Sequence, residues 1–359
     1  MKNLLFLVIP VLSVMAAACT KGQEDVAPIP VQAVEVKGGT MVVDGAAEGA
    51  LLSLWSDRSG GDSESVWMVG GTRSEPLVFE VKGNTFKRHD TGLSRRLWWV
   101  TGVPGGSVFV VGEGGVTARY DGSTWTPLAT DVPGTTLFGV WGTGVDNVWA
   151  VGGPEGAPGG GVTPEGNVIL RYDGTSWARQ SVPELDARPE SAQKFLFKVW
   201  GADKDNVVVV GSSGLALHYD GAAWRVEPTG DTAGALFTVS GRSADDIWAI
   251  GGLNEMRLIH WDGGKWSQVP VGEFPPTITQ GLFVAPGTGL VAGGISGYVA
   301  ALGTDGSWVE PDPETAQGFH AVWVDGGGAF WAVGGDIVSL DPVMTAIYTT
   351  RQGLEPPVF

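Results

Sequence analysis

A glycine that follows an apolar triplet returns along almost the whole chain: Gly70, Gly112, Gly152, Gly211, Gly251, Gly293 and Gly334. The successive spacings are 42, 40, 59, 40, 42 and 41 residues. A unit of about 41 residues is too short to bury a core alone, so repeated units must stack on their neighbours. The third unit breaks into four short strand-like runs: LFGVW from Leu137, VWAVG from Val148, VILRY from Val168 and SWARQSV from Ser176. Asn, Asp-Gly and glycine-rich stretches separate the runs, and these residues tolerate the positive φ of tight turns. Nothing keeps a 3.6-residue apolar rhythm over ten or more residues, which argues against helical repeats. The pattern predicts an all-β chain: a seven-bladed β-propeller of four-stranded antiparallel blades.

The tryptophans follow the same period. Strand A of the unit holds Trp55, Trp141, Trp200 and Trp323, and strand B holds Trp67, Trp149, Trp248 and Trp331. Strand D holds Trp125, Trp177, Trp224, Trp266 and Trp308, and across the three slots Phe86 and Phe109 substitute in other copies. Aromatics recurring at one place per unit read as wedges between neighbouring blades rather than as stacking platforms for a sugar or nucleotide.

VWAVGG followed by RYDGTSW, with Tyr172 and Trp177, resembles the kelch repeat and more broadly the kelch-like and WD-type propeller repeats. The glycine pairs at Gly70, Gly251, Gly293 and Gly334 and the tyrosines Tyr120 and Tyr219 extend the likeness over roughly residues 51–351. YDGSTW, from Tyr120 to Trp125, is more weakly similar to the Asp-box of sialidase-like propellers. These resemblances imply a propeller and leave its activity open.

The chain opens MKNLLFLVIPVLSVMAAACTKG. Lys2, an apolar run from Leu4 to Val14 and small residues before Cys19 read as an export signal, too short to span a bilayer comfortably. Cys19 is the only cysteine, so no intramolecular disulfide can form. Its position resembles the lipobox of bacterial lipoproteins, with Ala16 where that family usually has Leu. The resemblance implies a signal peptide over residues 1–18, acylation of Cys19 and a lipid anchor in the membrane. Thr20, rather than Asp, follows the cysteine, which favours the outer membrane, on its periplasmic side or at the cell surface. Residues 19–48 read as a lipidated tether, residues 49–359 as the propeller. The stretch from Val31 to Val43 forms either a small hairpin or a strand lent to the main domain.

A net charge of −17 disfavours nucleic acid and anionic lipid headgroups as partners. Among the histidines, His218 and His260 share one repeat slot with Arg119 and Arg171, which makes it a polar strand position rather than a metal site. Asp146, Asp205 and Asp245 in the A–B turn, and Asp121, Asp173, Asp220, Asp262 and Asp305 before glycine in the C–D turn, read as turn closers. No catalytic constellation, metal site or cofactor is expected from spacing. A copper oxidase of the kelch type is excluded, because it needs a cysteine within the catalytic domain.

The third unit is longer than its neighbours. About 12 extra residues fall in its B–C loop and about 7 in its D–A loop, and both loops belong to one face of an antiparallel ring. The reading that follows is a monomeric, non-enzymatic envelope lipoprotein whose protein or glycan partner meets that face through Glu155, Glu165, Glu184, Asp186, Arg188 and Glu190. Two alternatives stand beside it: a carbohydrate-active hydrolase or lyase with a central-channel site, and an accessory lipoprotein in outer-membrane assembly.

Overall fold

Each unit closes into one four-stranded antiparallel sheet, and seven such sheets form a ring. The structure is a computed structural model that describes residues 34–155, 166–186, 195–230, 234–252, 255–271, 278–303, 305–336 and 344–359. The seven inner strands are Ala50–Ser56, Leu97–Val103, Thr135–Gly144, Leu196–Asp203, Leu236–Ser243, Thr279–Phe283 and Phe319–Val324. Each packs beside the inner strand of the next blade, and the seventh returns to the first. Among the described residues the only α-helical segment is one turn, Pro183–Asp186.

Blade 7 is completed from the other end of the chain. Thr40–Ala46 forms its outermost strand, antiparallel to Thr345–Thr349. The segment left open between hairpin and lent strand therefore supplies the lent strand, and the propeller begins upstream of residue 49. Val36 is fully buried beside it, and its carbonyl accepts the Tyr348 hydroxyl at 3.0 Å. This arrangement covers the outer edge of blade 7 and ties the two ends of the ring together.

The repeating glycine has a steric cause. Opposite it, every inner strand carries a β-bulge, as between Leu137 and Gly139 or between Leu196 and Lys198. A Cβ on Gly112, Gly152, Gly211 or Gly251 would overlap the carbonyl of the residue just before the leucine that opens the bulge. In blade 6 the residue in this register is Gly294, paired with Thr279, and not Gly293. The apolar pattern alone does not separate two adjacent glycines.

The aromatic motifs lock neighbouring blades. Trp149 of blade 3 is fully buried, with its ring 5.1 Å from Tyr219 and 5.4 Å from Trp224 of blade 4. Trp67 of blade 1 meets Tyr120 and Trp125 of blade 2 at 5.2 and 5.8 Å. The Tyr and Trp of the Tyr-Asp-Gly-x-x-Trp phrase thus grip the strand-B aromatic of the preceding blade. Between them, the carboxylates of Asp121, Asp173, Asp220 and Asp262 accept backbone N–H groups two and three residues on, closing the C–D turn. These bonds hold the Asp121 carboxyl down at about 2.

Candidate functional site

The bulges decide what enters the channel. The bulged residue varies among the inner strands: Leu52, Trp98, Phe138, Phe197, Phe237, Gln280 and His320. A bulge re-aims a side chain, and here several converge. Trp98 lies 4.8 Å from Phe138 and, from two blades away, 5.7 Å from His320. Phe197 lies 5.6 Å from both Phe138 and Phe237. These rings narrow the channel at the end where the B–C and D–A loops emerge.

Beyond the rings the channel widens into a cup of about 400 Å³. The cup is lined by the ends of the inner strands and by the starts of the A–B turns, so it lies toward the face opposite the B–C and D–A loops. Half-buried Trp55, Trp99, Trp141, Trp200 and Trp323 line it, together with Phe283. The strand-A tryptophans are wedges too: a Cβ on Gly241 of blade 5 would lie 2.6 Å from Trp200 of blade 4. Trp323 donates its indole N–H to Ser56 Oγ at 2.9 Å, joining blade 7 to blade 1. Unlike the strand-B set, these rings also face open space.

The cup holds three cations. Lys198 replaces a small or aromatic residue at its place in the strand, which other blades fill with Ser53, Trp99, Gly139, Thr238, Gly281 or Ala321. Its side chain is almost fully buried; Nζ donates to the Phe138 carbonyl at 2.9 Å and sits 4.0 Å from the Trp99 ring centroid. Burial pushes its ammonium down to about 7. Arg242 pairs with Asp246 at 2.6 Å and donates to the Thr288 carbonyl at 3.4 Å. Burial pushes the Asp246 carboxyl up, but hydrogen bonds from His260 and Arg242 outweigh it and hold the group at about 2. Arg58 lies 5.7 Å from the Phe283 ring and adopts φ 53°, an uncommon conformation for a residue with a side chain. Asp57 is the only carboxylate on the cup wall among the described residues. At the closed end, burial and then the charge of Lys198 lower His320 to about 3, while its Nδ1 lies 2.7 Å from the Leu52 carbonyl.

The residues expected to form a site on the blade-3 loops have different neighbours. Glu155 forms an exposed 3.5 Å pair with Arg95 of blade 2. Glu184 accepts the Val226 backbone N–H at 3.2 Å, on the outer strand of blade 4. Val182 and Leu185 beside it are buried in the core shared with Leu217 and Trp224. The first part of the long D–A loop therefore buttresses blade 4. Asp186 ends the helical turn, while Glu165, Arg188, Glu190 and Cys19 lie outside the described residues. The histidines are spread over separate settings: His89 at 3.0 Å from Glu80, His260 at 3.0 Å from Asp246 and His218 at 5.5 Å from the Trp261 ring. No group of three potential metal ligands occurs among the described residues.

Sequence reasoning passed over Lys198, Arg58 and Arg242. The signal for Lys198 was present: one charged residue inside LFKVWG, at a place where no other unit carries a charge.

No family model matches the chain, and no curated protein matches its sequence. Solved structures do resemble it. YCF48 from Cyanidioschyzon merolae aligns with a TM-score of 0.59 at 17% identity, covering 83% of this chain and 95% of that one. YCF48 bound to D1 peptide aligns at 0.50 and 15%, covering 70% and 90%. The WD40 propeller domain of Doa1 aligns at 0.61 and 9%, covering 88% and 98%. At these identities the likeness establishes a β-propeller fold and nothing finer.

Proposed function

We propose that this chain is a protein-binding propeller that takes a segment of its partner into the aromatic-lined cup, and that acylated Cys19 holds it at the cell envelope. The observation that carries the reading is the cup itself: rigid half-buried indoles around a concave space of ligand size. Aromatic rings fixed by blade packing offer contact area at little entropic cost. A propeller of similar fold has been solved as YCF48 bound to D1 peptide, which supports peptide capture as a task this architecture accommodates. A glycosidase generally needs two carboxylates flanking the scissile bond, and the described cup wall offers Asp57 alone.

The blade-3 face stays in the proposal as a second surface, favoured by its two enlarged loops. One experiment separates the two. Crosslinked partners are recovered from membranes with wild type, with Trp141→Ala/Trp200→Ala, and with the B–C loop shortened between Glu155 and Glu165. The cup reading expects the tryptophan variant, still folded by circular dichroism, to lose the partner that the shortened loop retains. The reverse pattern places the partner on the blade-3 face. Cleavage of a glycan panel by wild type, with no protein captured, supports the hydrolase instead.

A further inference from the structure

We propose that the floor of the cup is a carboxylate-binding site, in which the Lys198 ammonium takes a carboxylate carried beside an apolar group. The inference rests on the cup being the ligand site and adds the chemistry at its floor.

Charge is the first reason. The chain carries −17 overall, yet among the described residues the cup wall presents Arg58, Lys198 and Arg242 against the single carboxylate of Asp57. Asp246, nearby, is already committed to Arg242 and His260. Lys198 is the least compensated of the cations. One of its three donor hydrogens reaches the Phe138 carbonyl and the Trp99 ring faces the charge, but no carboxylate pairs with it among the described residues. A buried cation without an anion is costly to the fold. The fold does not ask for it, since six other blades fill the same place with uncharged side chains. A lysine retained there at that cost fits a ligand that completes the pair.

The surroundings specify the ligand further. Arg242 has its terminal nitrogens engaged by Asp246 and the Thr288 carbonyl, and Arg58 feels the charges of Glu64 and Asp325, so Lys198 is the cation left without a carboxylate, where a phosphate site would gather two or three. The Nε atoms of Arg58 and Arg242 are buried without a partner and add neutralising donors nearby. Trp99, Phe283 and Trp323 supply an apolar wall for the group next to the carboxylate. A volume of about 400 Å³ accommodates a short peptide end or an acidic side chain with its flanking residue.

Binding an anion also raises the affinity of Lys198 for its proton. His320 on blade 7 feels its charge, and the same cup wall carries Arg242, paired with Asp246, on blade 5 and Asp57 and Arg58 on blade 1. The adjoining strand of blade 3 brings the Phe138 carbonyl and, among the described residues that line the cup, no charged group.

Calorimetric titration tests the site with four probes: N-acetyl-Leu-Leu with a free C-terminal carboxylate, its C-terminal amide, N-acetyl-Leu-Glu-amide, and inorganic phosphate. At least one acid binds, and the amide binds about tenfold more weakly or worse, as expected for loss of a charge-assisted pair. Which acid binds distinguishes a chain terminus from an acidic side chain. Lys198→Met removes the preference for acid over amide. Titration of wild type near pH 8 in two buffers of different ionisation enthalpy shows proton uptake on binding, which needs no variant to fold. Equal binding of acid and amide, binding of neither acid, an acid preference that survives Lys198→Met, absence of proton uptake or tightest binding of phosphate each overturns the site. Equal binding of acid and amide, with partner capture still lost in Trp141→Ala/Trp200→Ala, removes the carboxylate site and leaves the cup standing. Capture unaffected by the tryptophan changes removes the cup.

Discussion

Trp141 and Gly201 meet across the seam between blades 3 and 4: a Cβ on Gly201 would lie 2.5 Å from Trp141 Cη2 and 2.9 Å from the Asn206 carbonyl oxygen. The Val-Trp-Gly phrase thus gives the indole in one blade and a glycine seat in the next. Gly201→Ala is expected to destabilise the protein by about 1–3 kcal/mol through overpacking. In a Trp141→Ala background the same change costs less, because the larger obstacle is gone while the carbonyl remains. Urea unfolding of the four proteins reads the coupling, and an unchanged midpoint in Gly201→Ala contradicts a tight seam.

The strand Thr40–Ala46 completes blade 7 although it stands some 300 residues from its partner Thr345–Thr349 in sequence. Deleting residues up to Ala46 exposes the outer edge of that blade and uncovers Tyr348 beside Val36. The expected result is a lower melting temperature and aggregation on heating. Melting identical to that of the parent would show that the closing strand adds no stability.

His320 makes stability depend on acidity. Its imidazole is held near 3 in the folded state against an ordinary value of 6.5, so the unfolded chain binds the proton more tightly. Below pH 6.5 the unfolded state gains that proton while the native state does not, and stability falls toward pH 3 by up to about 1.4 kcal/mol per pH unit. Replacing His320 with Leu removes this slope. Urea midpoints between pH 4 and pH 7 that fall equally in both proteins contradict the assignment.

Much of the fold is legible in the sequence because a propeller repeats its constraints. A period near 41 residues, Asp-Gly turns and three tryptophan slots each report the same packing solution in several units, so a copy that lacks one signal is read from the others. The cup is legible only in part, for the opposite reason. The bulge exchanges which side chain meets the channel, and Leu52, Trp98, Gln280 and His320 share that place without sharing a chemical type. Lys198 occurs once, and its meaning depends on Trp99 and Phe138 from two other blades. Likewise Glu184 reads as a surface charge until the fold sets it against the Val226 amide. The register of Gly294 and the loan of Thr40–Ala46 depend on pairings that no local pattern records.

The proposed address has its own test. Growth with an alkyne-bearing fatty acid is expected to label wild type and not Cys19→Ser, and the labelled protein should partition with membranes. A soluble, unlabelled wild type removes the anchor from the account without touching the cup.

Hydrogen exchange on the protein bound to its captured partner tests the central claim most directly. The cup account predicts slowed exchange at the ends of the inner strands, around Trp141, Trp200–Ala202, Gly241–Arg242 and Val284–Ala285, with no change at Val182–Leu185 or Glu155. Protection confined to Glu155 and Val182–Leu185, with the cup-wall amides exchanging as in the free protein, would contradict it.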